Sequence, residues 1–200
     1  MRTPDPDQEL IEACQRSAAG SNGLEGPFGA LYERHKDRVY SLCFRLTGSD
    51  ADALDAAQEA FCTAFRSIGS FRFGSRFSSW IYRIAVNASI DLGRRARARR
   101  LVALRSAFPL REDPEGEVAD LREECPSSCV DREEREMLVQ RALDRLSPMQ
   151  RAAVLLRYFE NLPYGEIAEI LEVPVGTVKS RLFRAHGNLA RELAPLMGPP

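Results

Sequence analysis

Histidine is scarce in this 200-residue chain. It has two, His35 and His186, far apart in sequence, so most histidine-based metal or nucleophile schemes lack their parts. The five cysteines are odd in number and fall mostly in helical-looking segments, which argues against a disulfide framework and for reduced thiols. No apolar run approaches the ~18–20 residues that cross a bilayer, which excludes membrane insertion. The opening MRTPDPDQEL has neither a basic start nor an apolar stretch, so no secretory signal is expected and a cytoplasmic location is. Valines and isoleucines recur at helical rather than alternating spacing, so no strand is expected either.

What is present suits a soluble globular chain, 44% hydrophobic and 28% charged. The length fits two small domains, since domains usually run ~100–150 residues and each buries its own core. A formal net charge of −1 conceals strong segregation. Between Arg66 and Arg105 ten arginines stand against one acid, Asp91. From Leu110 to Met137 eleven acids stand against four arginines, and Pro109, Pro114 and Pro126 interrupt any helix. The second stretch reads as an acidic linker, and the chain as structured, tethered, structured.

In the first half, Phe28, Leu31, Tyr32, His35, Val39, Leu42, Cys43 and Leu46 share one helical face, and Gly48 supplies a stop. Asp50 or Asp52 can cap a second helix, with the stripe Ala53, Leu54, Ala57, Ala60, Phe61, Ala64, Phe65 and Ile68. Its opposite face carries Asp52, Asp55, Gln58 and Glu59, either solvated surface or a protein-docking face. A loop of aromatics, glycine and arginine from Gly69 to Phe77 leads from Ser78 or Ser79 into a third helix. That helix turns Trp80, Ile81, Ile84, Ala85, Ala88 and Leu92 inward and runs out in Arg94 to Arg100. Residues 1–25 read as a tail or short helix.

After the linker, Leu138, Val139, Ala142, Leu143 and Leu146 make a short amphipathic helix. Ser147-Pro148-Met149-Gln150 is a strong start signal, with serine at the cap, proline first in the helix and glutamine able to reach back. That helix is expected to end near Phe159. PYGEIAEIL, the break Glu172-Val173-Pro174 and a final helix then form a helix-turn-helix, sealed by Ile167, Ala168, Leu171, Val173, Val178 and Leu182. The fold class is therefore all-α: two small helical domains joined by a flexible acidic linker.

The last helix buries Val178, Leu182, Ala185 and Leu189, which leaves Ser180, Phe183, Arg184 and Arg191 outward and Thr177, Lys179 and Arg181 on the flanks. Cations alone describe a solvated face; a phenylalanine among them is costly unless something covers it. A thymine methyl or base edge in the major groove would, while Arg184 bonds guanine and Thr177 or Ser180 touches phosphate or base. The segment FRFGSRFSSWIYRIAVN differs, since Arg72, Arg76 and Arg83 alternate with aromatics around a glycine. That pattern suits unpaired bases, which need stacking, cations along the phosphates and an amide to read an edge; Phe71 and Asn87 could supply the stack and the amide. Phe77, Trp80 and Tyr82 read more simply as core, His35 as core and His186 as surface. Cys125 and Cys129 lack the second pair a structural zinc would need, so no metal, cofactor or catalytic residue is expected.

FRFGSRFSSWIYRIAVNASIDLGRR, followed after a linker by LDRLSPMQRAAVLLRYFENLPYGEIAEILEVPVGTVKSRLFRAH, closely resembles the bacterial RNA polymerase sigma factors of the extracytoplasmic-function (ECF) group. The resemblance implies a second-region domain over residues 26–100, a linker over 101–134 and a fourth-region helix-turn-helix domain over 135–195. It implies that the first domain binds the β′ clamp helices of core polymerase through Asp52, Asp55, Gln58, Glu59 and Phe61. It assigns single-stranded minus-ten DNA to Phe71, Arg72 and Asn87, to which the alternating pattern adds Arg76 and Arg83. It assigns duplex minus-thirty-five DNA to Thr177, Lys179, Ser180, Phe183 and Arg184, flanked by Arg181, with the same domain touching the β flap. An anti-sigma factor is a further expected partner. Pro163 and Gly165 depart from the family's usual start of the first helix of the pair. The linker is expected to mimic nucleic acid or to screen the basic surfaces. Two rivals fit less well: a response-regulator-like factor leaves the loop from Gly69 to Phe77 unexplained, and a nucleic-acid enzyme lacks carboxylates near the basic segment.

Overall fold

The computed structural model describes residues 5–16, 26–107 and 130–194. Among these there are eight α-helices, one 3-10 turn and no strand. Helix α1 spans Gln8–Arg16, α2 Pro27–Thr47, α3 Asp50–Ser67, and a 3-10 turn at Ile68–Ser70 leads to α4, Phe77–Ala107. Beyond the linker come α5, Val130–Asp144; α6, Pro148–Tyr158; α7, Tyr164–Ile170; and α8, Val175–Leu193. The core of the linker, with Cys125 and Cys129, lies outside the described residues.

Capping chemistry sets the boundaries. Helix α2 has proline in its first turn and ends at Gly48, whose left-handed φ of 73° lets its N–H reach the Phe44 carbonyl at 2.7 Å. Helix α3 is capped by Ser49, not by Asp50 or Asp52: the Ser49 hydroxyl accepts from the Asp52 N–H, which leaves both acids inside the first turn, where they favour the helix dipole. Helix α4 starts at Phe77, ahead of the expected serines, because the Trp80 N–H already bonds the Arg76 carbonyl. It also continues past Arg100 to Ala107, and α5 begins at Val130, so the helices take residues from both ends of the expected linker. At α6 the Gln150 side chain accepts from the Ser147 N–H, as its spacing indicated. Helix α7 forms despite Pro163, which sits at its cap position.

The apolar stripes meet as their periodicity requires. Leu31, Val39 and Cys43 of α2 bury against Ala53, Ala56, Ala60 and Ala64 of α3, and Phe77, Ile81 and Ala85 of α4 complete the core, with Ile11 of α1 beneath. The alanines let α3 approach closely, since interaxial distance follows side-chain size. Two members of the α3 stripe do not join it: Leu54 is 60% exposed and Phe65 is exposed too, although Phe65 meets Phe28 edge-on. In the second body Ile167, Ala168, Leu171, Val178, Leu182 and Ala185 seal the helix-turn-helix against Leu143 and Leu155. Between α7 and α8, Glu172 adopts φ 51° and the Val173 N–H bonds the Ala168 carbonyl, closing the sharp turn.

The two bodies pack together along a polar seam. Ser79, Tyr82 and Arg83, three and four apart on α4, donate respectively to Glu166 at 3.1 Å, to Glu160, and to Glu172 at 3.4 Å. At the end of α2 the Arg45 and Leu46 carbonyls, which helix geometry leaves unpaired, accept from Gln140 at 3.3 Å and Arg151 at 2.7 Å. Arg151 is buried and also pairs with Asp144 at 2.9 Å. The Arg45 guanidinium lies over the Phe159 ring at 4.1 Å.

Candidate nucleic-acid interface

The outward face of α8 is presented as its register dictates. Phe183 is 80% exposed, and Lys179, Ser180 and Arg184 are exposed around it, with Thr177 and Arg181 half-buried at the edges. The Ser180 hydroxyl donates to the Thr177 carbonyl at 3.0 Å, which keeps both short side chains at the start of the helix. A bare ring among cations on an exposed helix face is a surface that a base edge and phosphates would cover. His186, outside this face, is exposed as expected, and its Nε2 lies 2.6 Å from the Tyr158 hydroxyl.

The loop before α4 is built differently. Phe71 is only 6% exposed, its ring edge-on to Phe73 at 5.5 Å and Trp80 at 5.1 Å and near Phe77 at 6.3 Å. It belongs to the core in this arrangement, so its stacking face is taken by its own neighbours. Phe73 is the exposed aromatic, at the tip of a tight turn in which the Gly74 N–H bonds the Arg72 carbonyl at 2.6 Å. Arg72, Arg76 and Asn87 are exposed, whereas Arg83 is half-buried in its ion pair with Glu172. Phe77 and Tyr82 are buried and Trp80 is half-buried, as the core reading of these three indicated. Burial, and then the bond to Glu160, push the Tyr82 hydroxyl well above its ordinary pKa of 10.0.

On α3, Asp55, Gln58 and Glu59 are exposed, and Asp52 is half-buried. Phe61 is not on that surface: it is buried, its ring against Tyr32 at 4.8 Å. Leu54 takes the exposed apolar place among the acids instead. Among the described residues no group of acids, histidines and cysteines could hold a metal. Cys43 is buried, and burial raises its thiol to about 11, so it is an inert core residue.

Some partnerships had no sequence signal. His35 is in the core, and its Nε2 lies 2.7 Å from the buried Asp7 carboxylate, which Arg34 also contacts. The acids of the seam could not have been matched to α4 from spacing alone. Arg151 and the run AAVLL were a usable sign, because a helix without a polar face must be covered on several sides.

Comparison with known proteins agrees with this geometry. The Sigma-70 region 2 family matches residues 31–100 and the Sigma-70, region 4 family matches residues 136–186. RNA polymerase sigma-H factor of Pseudomonas aeruginosa is 35% identical over 201 residues, covering 98% of each chain. ECF RNA polymerase sigma-E factor of Escherichia coli is 35% identical over 195 residues, covering 96% of each. The structure of CnrH in complex with the cytosolic domain of CnrY has the same fold, with a TM-score of 0.65 at 22% identity over 96% of this chain and 99% of that one. RpoE in complex with the anti-sigma factor NepR from Bartonella quintana gives a TM-score of 0.61 at 22% identity, over 84% and 96%. With relatives matched end to end and both halves accounted for, the chain belongs to the extracytoplasmic-function RNA polymerase sigma factors, transcription regulators that recognise promoters and initiate transcription with RNA polymerase.

Proposed function

We propose a division of labour in which the second body holds duplex DNA and the first captures bases once the strands part. Thr177, Lys179, Ser180, Arg181, Phe183 and Arg184 read the minus-thirty-five element, with Phe183 against a thymine methyl or base edge and Arg184 bidentate to guanine. Arg72, Arg76, Arg83 and Asn87 take the minus-ten strand, the arginines on phosphates and the Asn87 amide on a base edge. Phe71 walls that pocket from within and Phe73 is the ring at its mouth. Asp52, Asp55, Gln58 and Glu59 dock on the β′ clamp helices, and Phe61 supports that face from beneath. Residues 26–100 and 135–195 act as the two working domains, the second also touching the β flap, and 101–134 as the tether.

The chain regulates transcription rather than catalysing a reaction, and it works in the cytoplasm beside the polymerase. No helix among the described residues is long and apolar enough to cross a membrane. Two of its solved neighbours are complexes, one with a named anti-sigma factor; a partner of that kind is proposed for this chain too.

The exposure of Phe183 among the cations of α8 carries this reading. Reconstituted transcription with core polymerase and a promoter library tests it. Site-selective initiation with an upstream and a downstream conserved element is the expected result; initiation without sequence preference would overturn it.

A further inference from the structure

The N-terminal segment is tied to both ends of the exposed loop. At the entry, the Gln15 side-chain amide of α1 donates to two backbone carbonyls, Ile68 at 3.1 Å and Phe71 at 2.9 Å. At the exit, the Asp5 carboxylate accepts from the Phe77 N–H at 2.6 Å, at the first residue of α4. That carboxylate acts as a cap supplied from 72 residues away, and its other oxygen accepts from the Asp7 N–H at 3.0 Å. The strap is itself anchored: Ile11 is fully buried, and the buried Asp7 bonds His35 at 2.7 Å, whose ring lies 5.2 Å from Phe77. Between the two ties run Arg72 to Arg76, of which Arg72, Phe73, Gly74 and Arg76 are exposed.

We propose that Asp5 and Gln15 are positioning residues for strand capture: together they fix the span and direction of the loop that takes the unpaired minus-ten bases, without touching DNA. The inference rests on the assignment of that loop given above. Its physical basis is preorganisation. A five-residue segment free at either end loses backbone freedom when it closes on a strand, at about 1–2 kcal/mol per residue, and the strap removes part of that loss in advance. Both ties are made to backbone groups, so they constrain where the loop runs whatever its side chains are.

The test uses full-length chain assembled with core polymerase. Promoter opening is followed by reactivity of unpaired bases, and minus-thirty-five duplex binding is measured in parallel. Gln15→Leu, which removes both donors, and Asp5→Ala, which removes the cap, each lower opening about tenfold, the worth of one or two such bonds. Duplex binding and core assembly stay within about twofold. Asp5→Asn, whose amide oxygen can still accept from Phe77, restores opening. Supplying the minus-ten strand as a free oligonucleotide reproduces the same ranking. Normal opening in both variants overturns the inference, as does a parallel fall in opening and core assembly, which would mean that the strap merely stabilises the domain. If the unsubstituted holoenzyme neither opens promoters nor binds the oligonucleotide, the loop assignment itself fails, and the two failures are distinct.

Discussion

Phe183 and Phe71 are the same residue type on two surfaces assigned to DNA, and they are placed oppositely, one 80% exposed and the other 6%. The recognition helix holds its aromatic out because α8 is a regular element whose inward positions are filled by Val178, Leu182 and Ala185. The loop folds its aromatics onto each other because irregular backbone presents no face, and an apolar ring left in water there loses about 25 cal/mol per Å² that its neighbours recover. On the roles proposed above, the duplex surface is complete before DNA arrives, whereas the single-strand surface shows one ring, Phe73, and holds Phe71 in the core.

This contrast can be broken at several points. The largest effect is expected from Leu182→Ala, which empties the core beneath the recognition face. It lowers stability by about 2–5 kcal/mol and abolishes duplex binding, read by thermal unfolding and by DNA titration. Alkaline pH acts on the other body. The Cys43 thiol is raised from 9.0 to about 11 by burial, so the folded chain holds a proton that the unfolded chain releases. That contribution is complete below pH 9 and disappears as pH rises to about 11, a loss of roughly 2–3 kcal/mol that Cys43→Ala removes. Tyr82, Tyr40 and Cys14 shift the same way and belong to the same body.

Smaller effects sharpen the comparison. Phe183→Ala reduces preference within the upstream element by about 1–3 kcal/mol and leaves the melting temperature unchanged, because so exposed a ring contributes little to folding. Asn87→Ala slows opening by about 1 kcal/mol while duplex binding survives; equal loss of both steps would refute the division of roles.

The same contrast explains what could be read in the chain. Periodicity gave α2, α6 and α8 nearly to the residue, since one apolar face and a capping residue suffice to define a helix. It gave the outward set of α8 for the same reason. It did not give Leu54 its exposed place, because a leucine at stripe spacing looks buried whether or not a partner helix reaches it. Nor did it find Asp5, Gln15, Glu160, Glu166 or Glu172, whose roles depend on backbone groups and side chains brought near only by folding. The alternation of aromatics and arginines offers Phe71 to bases and gives no hint that it is a core residue, since a loop has no register from which to infer direction.

The seam has one last consequence. Glu160, Glu166 and Glu172 stand against Ser79, Tyr82 and Arg83, so that stretch of α4 already has carboxylates where phosphates would approach. On the assignment proposed above, a strand arriving at Arg83 displaces the Glu172 carboxylate and sets free fewer small ions than its contacts number. On that assignment Arg83 adds less than the usual slope of about 0.7 per neutralised phosphate of a single strand, and salt weakens strand binding less steeply than the arginine-rich sequence suggests.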